Sequence, residues 1–368
     1  MKNFDPLEMQ KIRKQFPVLS QYIYADTATS GLSYDGLLDW RQEHDLDYLI
    51  GGSRTSTKFN RILSTTKDTI STFFGCKRQY VALVPNFSIG LNILLEGMGS
   101  LQRVLLLEGD YPSVNWPFQS RDCRISFVKI GADLEGQIFE RIKSDHIDIL
   151  ALSLVQWLNG VKIDLGFLKS LKEEYPDLII IADGTQYCGT EHFDFDSSGI
   201  DVLGASSYKW LLGGHGNGFM LFADTVAARF NCRTIGFHAA KGNLEGKDEI
   251  SFAKQFEPGH LDSLAFGSLN YSLQFLKGIG MEMISAHIKS IAQKARTGLG
   301  ELGLLEDHIL EREDYGPIFN ISVKEKVYTK LREGNILCAQ RGNGVRLSFH
   351  FYNTEKEVDK IVDILRKN

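Results

Sequence analysis

The chain has 368 residues, 43% hydrophobic and 24% charged, with a net charge of −5. That length is more than one core usually serves and predicts two domains, while a mildly negative chain without a long basic run excludes a nucleic-acid binder built on a positive patch. The five cysteines, Cys76, Cys123, Cys188, Cys232 and Cys338, are scattered and never spaced Cys-x-x-Cys, which excludes a disulfide framework or zinc site and fits a reducing compartment.

In chain order, Met1-Lys-Asn-Phe-Asp-Pro-Leu-Glu is charged where a secretory signal is apolar, and no stretch approaches the ~18 apolar residues of a membrane span. A cytoplasmic location is expected, with residues 1–16 packing on the smaller domain. Between residues 80 and 222, apolar runs predict strands at Tyr80–Val84, Arg103–Leu107, Ile147–Ser153, Leu178–Ala182, Asp201–Ala205 and Gly218–Phe222. Helical spacing lies between them, as with Phe167, Leu168 and Leu171 ahead of Tyr175-Pro-Asp. Such alternation means an open, mostly parallel α/β sheet with ligands at the carboxyl ends of its strands. Beyond a boundary near residue 260 the pattern becomes α+β. Long helical spacing covers 264–302, followed by a strand from Ile318, a helix over 324–333, and strands around Ile336–Gln340 and Val345–Phe349. A final helix opens on a capping box, Thr354 with Glu357, ahead of Val358, Ile361, Val362 and Leu365. The expected domains are 17–260 and 261–368.

The residues able to carry chemistry cluster at predicted strand ends. Asn86-Phe87-Ser88 follows the first strand and opens a helix, so its N–H groups and the Ser88 hydroxyl form either an anion site or an ordinary cap. Asp183 ends an apolar run and is either a turn aspartate or a poorly solvated acid; Gln186 stands three residues on. Lys209 lies between Tyr208 and Trp210 in an otherwise uncharged stretch, where burial would lower its pKa toward the nucleophilic range. Ser206 and Ser207 offer hydroxyls to a phosphate. Gly214-His-Gly-Asn-Gly218 precedes a strand and lacks the acidic partner of a dinucleotide loop, so it reads as a tight turn. Arg346 alternates with Val345 and Leu347 along a strand and can fork onto a carboxylate; a salt bridge is the bland reading, and Arg341 competes. An amine, an acid and a hydroxyl from neighbouring strand ends are what an enzyme needs to hold pyridoxal 5'-phosphate (PLP). The lysine forms the Schiff base, the acid keeps the pyridine nitrogen protonated, and the ring becomes an electron sink. Gln186 would donate to the phenolic oxygen.

Four segments carry a wider resemblance: Tyr24-Ala-Asp-Thr-Ala-Thr-Ser-Gly31, Asp183-Gly-Thr-Gln186, Ser206-Ser-Tyr-Lys209 and Val345-Arg-Leu-Ser-Phe-His-Phe-Tyr-Asn-Thr354. With them the chain resembles, from about Tyr24 to its end, the class V aminotransferase family of fold-type I PLP enzymes. That family includes cysteine desulfurases, selenocysteine lyases, kynureninase and isopenicillin-N-epimerase-like proteins. The resemblance implies a homodimer with a large domain built on a mostly parallel seven-stranded sheet and a smaller α+β domain. It implies that Ser88, Ser206 and Tyr208, beside Phe87, contact the phosphate. Arg346 would hold the substrate carboxylate near Ala28 of the N-terminal loop, and Tyr111 of Asp110-Tyr-Pro-Ser113 would stack on the ring. Tyr111 and Tyr208 look more like kynureninase than like a desulfurase. Three departures stand out. Cys338 lies in a predicted strand eight residues before Arg346, where a mobile reactive cysteine is not expected. Gly259-His260 stands where many relatives carry a Gly-Thr whose hydroxyl reaches the partner subunit's phosphate, and the histidine either replaces that contact or abolishes it. Trp157 stands where relatives carry a small polar side chain, and either narrows the pocket or belongs to the core.

The expectation is a PLP enzyme acting on an amino acid, with transamination first and a β-lyase second. Epimerisation is a further outcome that the same residues allow. A PLP-binding protein without efficient catalysis is the third reading, against which the intact Asp183, Lys209 and Arg346 set argues.

Overall fold

In the computed structural model, which describes residues 4–240 and 242–367, helix α1 (Pro6–Lys14) is capped by Asp5, whose carboxylate accepts from the Leu7 and Glu8 N–H groups. Its Arg13 meets Glu357 at 2.7 Å, and the Phe16 ring packs at a tilt against Tyr352, 5.2 Å between centres, near the other end of the chain. Residues 1–3, part of the expected N-terminal packing, lie outside the described residues. Strand β1 (Ile23–Tyr24) follows, then helices α2 (Asp35–Gly51) and α3 (Ser56–Phe74).

The large sheet comprises β2 (Val81–Val84), β3 (Gln102–Glu108), β4 (Cys123–Lys129), β5 (Ile149–Ser153), β6 (Ile179–Asp183), β7 (Val202–Ser206) and β8 (Gly218–Phe222). They lie in the order β2-β8-β7-β6-β5-β3-β4, with β8 antiparallel to both neighbours and all other pairs parallel. Helices α4 (Phe87–Glu96), α5 (Pro112–Gln119), α6 (Leu134–Asp145) and α7 (Leu165–Glu174) fill the connections. The successive apolar residues of each strand serve two cores at once. Val104, Leu106, Ile149, Ala151, Ile179 and Ile181 pack with α4 and α5, while Leu105, Leu107, Leu150, Leu152 and Ile180 pack with α3, α6 and α7. A strand buried on both faces loses the period-two signal but keeps a continuous apolar run, which is why six strands are legible. Strand β4 is the exception: it forms the sheet edge, and only Val128 of its seven residues is buried.

From β3 the chain steps outward to β4, then returns past β3 to β5 and builds β6 and β7 in the other direction. The connections therefore diverge between β3 and β5, and sheets of this kind open a crevice at the carboxyl ends beside such a point.

The predicted helical stretch 264–302 is two helices, α8 (Ser263–Ile279) and α9 (Met281–Glu301), parted by Gly280 at φ +99°, a backbone region that favours glycine. After α10 (Asp307–Glu311), β9 (Ile318–Ile321) and α11 (Glu325–Glu333), the predicted strand 336–340 divides in two at Cys338. Strand β10 (Ile336–Leu337) pairs in parallel with β1, while β11 (Ala339–Arg341) joins β12 (Gly344–Ser348) and β9 in a three-stranded antiparallel sheet. The last helix, α12 (Glu355–Arg366), carries the expected capping box.

One buried charge cluster ties α3 to the sheet. Glu257 is fully buried, accepts from the Leu83 N–H of β2 at 2.8 Å, and meets Lys67 at 2.6 Å and Lys254 at 2.7 Å. Burial acts to raise its pKa, but the two ammonium groups outweigh that and the net shift is downward. A carboxylate with a lowered folded pKa stabilises the fold above its unfolded value, near pH ~4.3, and that contribution disappears as pH falls through the folded value. Glu257→Ala strands Lys67 without its counter-charge and is expected to cost about 3–5 kcal/mol at pH 7 by denaturant unfolding. The loss should shrink as the pH is lowered below the carboxylate range; a constant loss would mean that packing, not charge, is responsible.

Candidate active site

Three strand ends converge at the crevice. Asp183 closes β6, its register partner Ser153 closes β5, and Gly204 of β7 lies on its other side. Lys209 follows β7 by three residues. Both Lys209 and Asp183 are buried, at 6% and 5% exposure. The Lys209 ammonium stands 5.5 Å from the ring centres of both Tyr111 and Tyr208. Burial pushes the lysine down to about 8; the Asp183 charge opposes that shift, and Arg346 reinforces it. Burial likewise pushes Asp183 up to about 6 against the hydrogen bonds from Thr185, whose N–H donates at 2.8 Å, and against the charge of Lys209. An amine and an acid with pKa values on either side of neutrality thus share one poorly solvated corner.

A cavity of about 480 Å³ extends from this corner to the start of α4, within the roughly 300–1,000 Å³ typical of small-molecule sites. Asp183 and Tyr111 line one part of it, Phe87 and Ser88 the helix end, and Ser206 and Tyr208 the wall between. The Ser206 hydroxyl accepts from Phe87 N–H at 3.0 Å, and the Thr185 hydroxyl accepts from Ser206 N–H at 3.0 Å. The Ser206 hydroxyl proton therefore remains available to an anion, whereas the Thr185 hydroxyl donates to Asp183. Ser88 and Ser113 share a hydrogen bond of 2.8 Å. Gly204 is required here, because a Cβ would stand 2.7 Å from the Phe87 ring and 2.5 Å from the Met220 sulfur.

Arg346 lies 2% exposed on β12. Its Nη1 donates to the Trp157 carbonyl at 2.8 Å and its Nη2 to the Thr29 hydroxyl at 2.6 Å. The buried Nε has no hydrogen-bond partner, and Asp26 Oδ1, 3.9 Å from Nη2, is likewise without one. A buried guanidinium with an unmatched donor is suited to an incoming anion. Arg341 is exposed at the hairpin end, so the geometry favours Arg346 of the two candidates. Ala28 is buried beside this corner, its N–H donating to the Ser348 hydroxyl at 2.9 Å. Trp157 is half-buried; its indole N–H donates to the Gly109 carbonyl at 3.3 Å and its ring meets Tyr111 edge-on, 5.9 Å between centres. It thus braces the turn that carries Tyr111.

Gln186, Gly259, His260 and Cys338 do not line this cavity. Gln186 is buried but committed to the protein: its NH₂ donates to the Ala28 carbonyl at 3.0 Å and its oxygen accepts from Trp210 at 2.8 Å. At most one amide hydrogen is left for a ring oxygen. Gly259 and His260 lie outside this cavity, with the His260 ring 5.7 Å from that of His238. Cys338 is buried and its thiol is pushed up to about 12, chiefly by burial. Sequence reasoning passed over Asp110, Thr185, Thr29 and His215. Asp110 accepts from the Ser153 N–H and hydroxyl and from the Tyr111 N–H, at 2.8, 2.6 and 2.6 Å, bridging β3 and β5 across the crevice. The signal was the same one that marked Asp183, an acid just beyond an apolar strand.

The donor set fits PLP: a buried amine, a buried carboxylate, a helix end with spare hydroxyls, and an aromatic ring over the amine. The lowered Lys209 value has a direct consequence. Below its pKa the neutral fraction of an amine rises about tenfold per pH unit. Reaction of Lys209 with a small aldehyde, trapped by borohydride and read by peptide mass analysis, is expected to rise in that way and level off near pH 8. A rise continuing to pH 10 would show an unperturbed lysine.

The aminotransferase class-V family model matches residues 48–361. An uncharacterised aminotransferase of Bacillus subtilis is 21% identical, covering 96% of this chain and 98% of its own. A probable cysteine desulfurase of Mycoplasma genitalium is 22% identical, covering 99% of this chain and 96% of its own. The apo structure of a cysteine desulfurase from Thermococcus onnurineus matches with a TM-score of 0.86 at 18% identity, over 100% of this chain and 99% of that one, and shares its fold. With its strand-end amine and acid in place and a family match over most of its length, the chain belongs to the class-V aminotransferases.

Proposed function

We propose that Lys209 is the residue through which this PLP-dependent enzyme carries its cofactor, and that it transaminates an amino acid held at its carboxylate by Arg346. The observation that carries this reading is the buried Lys209–Asp183 corner, opening on a cavity with an anion-ready helix end. When bound, PLP supplies an electron-withdrawing ring that accepts the charge left as the substrate's α-hydrogen departs. Lys209, with its pKa lowered to about 8, holds or releases a proton at Nζ near neutral pH. Asp183 is mostly ionised at pH 7, above its value of about 6, and provides a counter-charge for a protonated ring nitrogen. Arg346 arrives pre-oriented by Trp157 and Thr29, so it has little freedom to lose when a carboxylate docks. Tyr111, held by Asp110 and Trp157, covers the corner and keeps water from it.

The second reading is a β-lyase acting on cysteine-like substrates, favoured by the desulfurase relative. A buried Cys338 with a raised pKa speaks against its serving as a persulfide carrier. We further infer a homodimer, because Leu46, Leu49 and Ile50 leave the C-terminal part of α2 more than half exposed as an apolar strip. Among the described residues no helix is long and apolar enough to cross a membrane.

A panel of amino acids, each with and without a 2-oxo acid, separates the readings. Keto-acid formation that requires the acceptor means transamination, whereas acceptor-independent sulfide release from cysteine means lyase chemistry. Lys209→Ala is expected to lower turnover by about 10²–10⁴-fold or more and to abolish borohydride-fixed PLP. Retention of a fixed cofactor would assign it to another lysine. Arg346→Lys should raise KM for the amino acid about tenfold or more, since a point charge replaces a planar fork; an unchanged KM would remove Arg346 from the substrate.

A further inference from the structure

We infer that His215, in the loop read from sequence as a mere turn, is the positively charged ligand of the cofactor's phosphate. The inference rests on the PLP reading above. A phosphate at the α4 end of the cavity brings up to two negative charges into a partly enclosed space. The helix end is less open than its sequence implies: Ile89 N–H is taken by the Asn86 side chain at 2.9 Å and Phe87 N–H by Ser206. What remains is largely neutral hydroxyl donors, and Lys209 is occupied at the other end. Among the described residues that line the cavity, His215 is the one side chain that can carry positive charge.

The loop is shaped to present it. Gly214 and Gly216 flank His215 at φ +72° and +86°, a conformation that side chains rarely adopt. The turn lays the imidazole face-on against Tyr208, 4.6 Å between ring centres and 20° from parallel. Stacking uses the faces of the ring and leaves both edge nitrogens for a ligand; neither hydrogen-bonds to protein among the described residues. Arg41 adds positive charge behind the loop, its Nη1 lying 3.8 Å from where a side chain at Gly214 would begin. A charge-assisted hydrogen bond from imidazolium to phosphate would be among the strongest contacts available there. Tyr208, which precedes the lysine, then acts as the platform that holds the imidazole.

The test compares two aldehydes that differ only in the phosphate. Apoprotein is titrated with PLP and with pyridoxal, following the absorbance of the bound form, with inorganic phosphate as a competitor. His215→Ala is expected to weaken PLP about tenfold or more, leave pyridoxal unchanged, and reduce competition by phosphate, while His215→Arg restores most of the PLP affinity. Unchanged PLP affinity in His215→Ala overturns the inference. So does an equal loss for both aldehydes, which would place His215 against the ring through Tyr208. If the wild-type protein takes up neither aldehyde at Lys209, the PLP reading itself fails, and this inference fails with it. His215 is exposed, so its replacement leaves the core intact, and a thermal melt of the apoprotein verifies the fold.

Discussion

The arrangement of this molecule depends on keeping one amine and one carboxylate away from water at the end of a sheet. Ionised groups resist such placement by several kcal/mol each, even after relaxation. The protein answers with attraction between the two, hydrogen bonds to Asp183 from Thr185, and a sheet dry on both faces that cannot easily yield to solvent. The incomplete compensation is visible in the shifted groups themselves, an acid pushed up and an amine pushed down. Strain of this kind is common where reactivity has to be kept near neutral pH.

Around that corner, the strand connectivity does the positioning. The crevice between β3 and β5 is bridged by Asp110 and Ser153, and the same bridge fixes the backbone of Tyr111. Trp157 joins two tasks: its indole supports the Tyr111 turn and its carbonyl orients Arg346. The ring over the amine and the guanidinium beyond it are therefore set by one residue. A small polar side chain at 157 would keep the carbonyl but lose the indole that braces the Tyr111 turn.

Much of this was legible in the sequence, for specific reasons. Doubly buried strands leave long apolar runs, so β5 to β8 and the residues at their ends were readable, Asp183 and Lys209 among them. Edge strand β4 was not, because its side chains are half exposed and its Cys-Arg-Ile-Ser-Phe-Val-Lys pattern carries little signal. Strand division at Cys338 depends on which partner each half finds, a tertiary fact invisible locally. Gln186 illustrates the opposite case: the motif marked it, yet its amide is used to link Ala28 and Trp210. Thr29 and His215 lay inside quoted segments, but a hydroxyl beside a guanidinium and an imidazole on a phenol are contacts made only by folding. The seven-stranded sheet and the cofactor class came through the family resemblance more than through periodicity.

The division at Cys338 also governs the order in which the site is built. Among the described residues strand β10 is the only strand paired with β1, and the loop after β1 supplies Thr29 to an arginine 317 residues away in sequence. Ala28 and Ser348 are separated by 320 residues, Thr27 and Tyr352 by 325. The cofactor corner, by contrast, is assembled from strands that lie between residues 81 and 222. On the ribosome, where domains form from the N-terminal side as the chain emerges, the amine and acid can come together while the guanidinium is still unmade. The strands around Lys209 and Asp183 are thus all in place in the sequence well before Arg346 of β12.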